Sequence, residues 1–95
     1  MPLLVRFTPA SMTAEQYDQV LATLESRAQW PPDGLQVHVC FGSGSQLRVS
    51  EVWESREKME AFAADLMPLL EEQEIDVASM PPEVLDVHNL ALGAR

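Results

Sequence analysis

Basic residues are scarce in this 95-residue sequence, which has 6 Lys and Arg against 15 Asp and Glu and a formal net charge of −9 at pH 7. Nucleic acids and anionic membrane surfaces attract clustered Lys and Arg, so we expect neither as a partner. No apolar run approaches the ~20 residues that a bilayer span needs. The apolar stretch within residues 1–7 is also too short for the apolar segment of a signal peptide.

Cysteine is almost absent: Cys40 is the only one, so no disulfide can form within the chain. A single thiol suits a reducing compartment, and we expect a soluble cytoplasmic protein. With 46% apolar residues over 95 positions, the chain can bury one small core. We therefore predict a single domain that spans residues 1–95.

Apolar spacing predicts the element order strand, helix, strand, strand, helix, strand. Thr13 and Gln16 form a capping-box pattern before the first helix, and Ser55 is a typical N-cap for the second. Pro68 lies inside the second helix and predicts a kink or a break. The order is that of the ferredoxin-like α+β fold, βαββαβ, in which two helices cover one face of a four-stranded antiparallel sheet. The predicted strands are residues 3–7, 35–41, 47–53 and 84–90.

The face of this sheet that the helices do not cover, called the open face below, has no partner within the predicted fold. A domain needs at least two packed layers around a core. Something outside the predicted fold must therefore supply the missing layer.

Period-two alternation predicts which side chains of each strand face the helices. We expect the apolar set of residues 35–41 on the helix side, which requires an odd-numbered hairpin loop that pairs Val39 with Val49. An even-numbered loop would instead turn Arg48 and Ser50 toward the helices. Leu85 is likewise assigned to the helix side. The polar side chains then lie on the open face, where we predict a cluster of Arg6, His38, Arg48, Asp86 and His88.

Glu51 and Trp53 are the strongest site candidates because they lie on the predicted helix side, near Phe62. A buried carboxylate acquires a raised pKa, as general bases do, although a bulge at the strand end would turn Glu51 to solvent. Trp53 is either a core residue or the wall of a site for a flat aromatic ligand. The two histidines lack metal-ligand spacing, so we predict no metal site.

The segment LRVSEVWESREKMEAF, residues 47–62, resembles proteins related to antibiotic biosynthesis monooxygenases in the dimeric α/β-barrel superfamily. In that group a strand that ends in Glu-x-Trp-x-Ser leads into a helix, as Glu51, Trp53 and Ser55 do here. The resemblance implies a homodimer whose two sheets face each other and whose helices lie outside. The group includes cofactor-independent oxygenases that act on phenols or quinols, and haem-degrading enzymes.

The resemblance also implies a pocket between the sheet and the helices. There Trp53 would stack on the substrate and Glu51 would accept a proton, with Phe41, Met59 and Phe62 lining the pocket. Many relatives have a histidine where this chain has Phe62, so we expect no haem and no other cofactor. The implied activity is a monooxygenase, or a related cyclase or isomerase, for small aromatic or polyketide-like molecules. The alternative is a non-catalytic small-molecule-binding or stress-response dimer whose cavity is filled by side chains.

Overall fold

The structure, a computed structural model, describes residues 2–93 of the chain. Its four strands form one antiparallel sheet in the order β2-β3-β1-β4, and its two helices complete the predicted ferredoxin-like α+β arrangement. No helix within residues 2–93 is long and apolar enough to cross a membrane. The elements are β1 (Leu3–Phe7), α1 (Ala14–Ser26), β2 (Leu35–Phe41), β3 (Arg48–Trp53), α2 (Arg56–Glu72) and β4 (Glu83–Asp86).

Both predicted helix starts are confirmed. The Thr13 hydroxyl accepts a hydrogen bond from the Gln16 amide at 3.2 Å, and the Gln16 side chain accepts one from the Thr13 amide at 2.8 Å. Ser55 accepts from the Lys58 amide at 3.3 Å. Of the two outcomes predicted at Pro68, a kink or a break, the break is wrong, because α2 continues to Glu72. Burial of the two leucines that follow Pro68 holds the last turns of α2 in place despite the missing amide.

The last strand is shorter than predicted, because β4 ends at Asp86 rather than at residue 90. It pairs only with β1, and Asp86 lies opposite Leu3, the first residue of β1. One further hydrogen bond joins the Val87 amide to the Pro2 carbonyl at 3.1 Å. Beyond that point β1 offers β4 no partner, so the ladder ends.

The predicted pairing of β2 with β3 is wrong by one residue. Val39 lies opposite Ser50 rather than Val49, while His38 lies opposite Glu51. The cause is a register shift between Leu35 and Val37: Leu35 still faces Trp53, and one extra residue then reverses the alternation of the rest of β2. β3 keeps its predicted orientation, so β2 is turned over relative to β3.

This reversal gives the open face an apolar character. Val39 and Phe41 are 47% and 42% exposed there, opposite Ser50 and Arg48. Leu85, also predicted on the helix side, lies opposite Leu4 on the open face and is 41% exposed.

The predicted cluster on the open face does not include His38, whose side chain lies on the helix side. Arg6 is on the open face, where it contacts Glu83 at 3.6 Å in an exposed ion pair. His88 follows the end of β4 and is exposed, and Asp86 lies opposite the buried Leu3. The five residues are therefore divided between the two faces and the segment after β4.

The hydrophobic core joins both helices to one face of the sheet. Val20 and Leu24 of α1 and Phe62 of α2 pack in one buried cluster with residues of β1 and β3. Trp53 is only 1% exposed and is among the largest fully buried side chains. The candidate site lies within this layer.

Candidate functional site

A cavity of about 160 Å³ lies between the helix side of the sheet and the two helices. Its walls are mainly aliphatic and aromatic, and none of its described lining residues is Lys or Arg. The Tyr17 hydroxyl, the His38 imidazole and the Glu51 carboxylate enter it from α1, β2 and β3. The lining residues that matter for chemistry are Tyr17, Trp30, His38, Glu51, Trp53 and Phe62.

Four of these side chains form a continuous hydrogen-bonded chain. The Tyr17 hydroxyl is 2.6 Å from His38 Nε2, and His38 Nδ1 is 2.6 Å from Glu51 Oε2. The Trp53 indole N–H donates to Glu51 Oε1 at 3.1 Å. α1 therefore supplies the tyrosine, β2 the histidine, and β3 the carboxylate with its tryptophan.

The Glu51 carboxylate fixes the direction of these hydrogen bonds. A carboxylate only accepts, so in a neutral imidazole the proton lies on Nδ1 and is donated to Glu51. His38 Nε2 is then an acceptor, and the Tyr17 hydroxyl donates to it. Each polar hydrogen of these four side chains has an acceptor. The Tyr17, His38 and Glu51 groups are ordered as in a hydroxyl–imidazole–carboxylate triad.

The Glu-x-Trp pattern of β3 explains how a carboxylate is held on an apolar face. Residues two apart on a strand share a face, so Trp53 lies beside Glu51 and can donate to it. His38 reaches the same carboxylate from the neighbouring strand, directly opposite in the register. Glu51 therefore does not turn to solvent, and its two oxygens are satisfied inside the protein.

Burial in this layer shifts the acidity of Tyr17. Loss of solvation, with smaller contributions from Cys40, Glu51 and Asp18, raises the pKa of Tyr17 to about 12. The phenol is therefore protonated at neutral pH and can donate to His38. The histidine and glutamate side chains remain 17% and 13% accessible, so a small ligand in the cavity can reach this chain of groups.

The start of α1 fixes the position of Tyr17. The Gln16 side-chain amide donates to the Gln73 carbonyl at 2.8 Å, which ties the first turn of α1 to the end of α2. The same side chain closes the capping box with Thr13. Tyr17 is the next residue, so its ring is held where the two helices meet over the sheet.

Trp30 forms a second aromatic wall that the sequence pattern did not indicate. Its ring meets His38 edge-on, with centroids 4.8 Å apart at 81°, and lies 6.2 Å from Phe62. Trp53 packs on the other side of Phe62 at 5.6 Å. Trp30 is partly exposed whereas Trp53 is fully buried, so Trp30 has more surface to offer a ligand.

The structure brings some of the sequence-predicted site residues together and separates others. Glu51, Trp53, Met59 and Phe62 all line the cavity. Phe41 does not, because the reversal of β2 places it on the open face. Among residues 2–93 no three His, Cys, Asp or Glu side chains are grouped as metal ligands.

Sequence reasoning missed Tyr17, Trp30 and the orientation of His38. The spacing of Tyr17 matches that of the buried residues Val20 and Leu24 of α1, and its hydroxyl carries no periodic signal. The orientation of His38 follows from the register shift between Leu35 and Val37 and from the six-residue connection 42–47, whose length depends on where β3 begins.

No protein-family model matches the chain, and no curated protein matches it. Among solved structures, it is similar to a candidate antibiotic biosynthesis monooxygenase from Chloroflexus aurantiacus, with a TM-score of 0.54, 18% identity and coverage of 98% of this chain and 100% of that one. A protein of unknown function from Nitrosomonas europaea gives a TM-score of 0.54 and 19% identity, over 99% and 94%.

The chain is also similar to SnoaB, a cofactor-independent oxygenase from Streptomyces nogalater. That comparison gives a TM-score of 0.54 and 14% identity, over 94% of this chain and 93% of that one. At these identities the similarity concerns the fold. This chain therefore has the ferredoxin-like fold found in the antibiotic biosynthesis monooxygenase-like proteins.

Proposed function

We propose that this protein binds a small, uncharged, single-ring aromatic molecule in the cavity and oxidises it without a bound cofactor. The observation that carries this proposal is the Tyr17–His38–Glu51 chain, an acid–base group in the wall of an otherwise apolar cavity. The fold shared with a cofactor-independent oxygenase supports the same reaction class.

The size of the cavity favours a single ring. An apolar cavity of about 150 Å³ is large enough to bind benzene, whereas sites for drug-sized ligands usually measure about 300–1,000 Å³. The cavity here is about 160 Å³. A monocyclic phenol therefore fits it better than a multi-ring polyketide.

The charge of the cavity favours a neutral ligand. Glu51 is its acidic lining residue, and no Lys or Arg lines it within the described part of the chain. A ligand carboxylate would lose its solvation there without gaining a cation. A ligand hydroxyl, by contrast, can form a hydrogen bond with the Tyr17–His38–Glu51 group.

The chemistry begins with removal of a proton from the ligand. The anion of an electron-rich phenol can reduce O₂ directly, so the ligand itself supplies the electrons. Oxidation of a phenol to a quinone adds one oxygen atom to the ring and releases the other as water, with the phenolic and ring hydrogens appearing in that water. Trp30 and Phe62 provide aromatic surface on which the ring can pack.

We further propose that the protein acts as a cytoplasmic homodimer joined through the open face. Val39, Phe41 and Leu85 give that face exposed apolar side chains, which a second copy would remove from water. A face-to-face arrangement of two sheets would add the missing layer beneath the cavity. Light scattering at micromolar concentration tests this, and a stable monomer would contradict it.

The second candidate is a non-catalytic binding protein with the same cavity. The observation that favours it is that the polar atoms of Tyr17, His38, Glu51 and Trp53 already satisfy one another, as they would in a purely structural network. Turnover separates the two candidates. Oxygen uptake with monocyclic electron-rich phenols that depends on His38 and yields a quinone with one added oxygen atom supports the enzyme, whereas binding without uptake supports the second candidate.

Calorimetric titration with phenol tests the binding site itself. Ala63 lines the cavity, so Ala63→Leu should fill it and abolish saturable binding. Ala61→Leu is the matched control, because Ala61 is exposed on the same helix. Benzoate should bind less tightly than phenol. Failure of the parent protein to bind phenol, or equal binding by Ala63→Leu, would contradict the proposed site.

A further inference from the structure

We propose that the Tyr17 hydroxyl is the group that takes the proton from the bound ligand while its own proton passes to His38, so that the ligand is held as an anion. This inference rests on the proposed function only in requiring that a hydroxylated ligand occupies the cavity. It assigns the catalytic contact to Tyr17 and positioning roles to Glu51 and Trp53.

The geometry leaves the ligand no direct access to the imidazole nitrogens. Nδ1 of His38 is engaged by Glu51 and Nε2 by the Tyr17 hydroxyl, each at 2.6 Å. The edge of Trp30 covers another side of the ring. The Tyr17 oxygen, however, uses only its hydrogen in this chain and retains lone pairs that can accept from a ligand hydroxyl.

The transfer balances in protons and charge. The ligand O–H bond breaks and its proton forms a new bond to the Tyr17 oxygen, while the original Tyr17 O–H bond breaks and its proton moves to His38 Nε2. Before transfer the group carries one negative charge, on Glu51. Afterwards an imidazolium lies between Glu51 and a ligand phenolate, so the net charge is unchanged and each anion has a donor.

Tyr17 is suited to pass a proton without keeping a charge. Burial holds its pKa at about 12, so a more acidic phenol takes the negative charge in its place. The titratable groups that face this chain are Asp18 of α1, Cys40 of β2 and Glu51 of β3. All of these are acidic groups, and α2 lines the cavity with apolar residues.

4-Nitrophenol is a suitable probe, because its phenolate has a distinct visible absorption band and the molecule has one ring. It is titrated with the parent protein at a pH below the pKa of the free phenol, where the free probe is mostly neutral. Calorimetry gives the total binding in parallel. We expect the bound probe to show the phenolate band, with the proton retained by the protein.

Two variants test which residues take part in the proton transfer. Tyr17→Phe keeps the ring but removes the donor to the anion, and should lower the ratio of bound phenolate to bound phenol about tenfold or more. His38→Gln removes the base and should leave the probe neutral. Ala61→Leu is the control and should match the parent.

The outcomes are distinct for the two proposals. If 4-nitrophenol binds but stays neutral, or if Tyr17→Phe shows the same phenolate fraction as the parent, the Tyr17 inference is overturned while the binding site stands. If neither phenol nor 4-nitrophenol binds the parent protein, the proposed function fails, and the inference fails with it.

Discussion

The two faces of the sheet differ in the side chains that β2 contributes to them, which are polar on the helix side and apolar on the open face. Toward the helices β2 presents His38 and Cys40, and the histidine joins the polar chain of the cavity. Toward the open face it presents Val39 and Phe41, which remain largely exposed. β1 and β3 behave in the opposite way, with buried apolar residues such as Val5 and Val49 on the helix side.

This difference shows that the apolar side of a strand need not face the core of its own subunit. The helix-side layer already buries the large side chains of β1, β3 and both helices. β2 is at the edge of the sheet, and its polar side can be used there for a functional group. Its apolar side is then available for an interface, as in the proposed dimer.

The largest expected effect on stability comes from a substitution in the helix-side layer. Replacing the fully buried Trp53 with Ala should reduce the free energy of unfolding by about 3–5 kcal/mol, because a large cavity forms and Glu51 loses a donor. Trp30→Ala is the matched comparison and should cost clearly less, since Trp30 is partly exposed. Urea unfolding at one protein concentration measures both. Equal costs would mean that Trp53 is not the better packed of the two.

A charge on the open face should act on association rather than on folding. Val39→Glu would bury an unpaired carboxylate in the proposed interface, at a cost of about 3 kcal/mol or more, which raises the dissociation constant roughly a hundredfold. Ala61→Glu adds the same charge to an exposed position on α2 and should leave association unchanged. Sedimentation at several concentrations distinguishes them. A dimer that tolerates Val39→Glu would place the interface elsewhere.

The raised pKa of Tyr17 should have a smaller effect, which is a pH dependence of stability specific to this residue. It is the only tyrosine, so ultraviolet titration of the protein reports this residue alone. The midpoint should be about 12, against the ordinary value of 10.0. Because the folded pKa is raised, the stabilisation is complete below pH 10 and is lost as pH rises toward 12. Tyr17→Phe should remove this part of the pH dependence. A midpoint near 10 would show an exposed phenol.

The predictable parts of the fold are those that local chemistry determines. The caps at Thr13 and Ser55, the bounds of β1 and β2, and the βαββαβ order all follow from short patterns of hydrogen-bonding and apolar residues. Each depends on neighbours within a few positions, so the sequence contains the necessary information.

The orientation of β2 could not be predicted in the same way, because a single irregularity between Leu35 and Val37 decides it. Burial of apolar residues favours the apolar set of β2 on the helix side, but the register shift places Val39 and Phe41 on the open face. Tyr17 and Trp30 were missed because their roles depend on contacts with His38 across the fold. Glu51 and Trp53 were identified because their shared face is a local property of β3.

The central claim is that His38 bonds to Glu51 and Tyr17 on the helix side of the sheet. ¹⁵N NMR of the imidazole tests it most directly, in a His88→Gln background that leaves His38 as the only histidine. We expect a ring that donates its Nδ1 proton to Glu51, with an Nε2 resonance that changes in Tyr17→Phe and an Nδ1 proton that is lost or shifted in Glu51→Gln. A ring that behaves as a solvent-exposed imidazole and ignores both substitutions would contradict it.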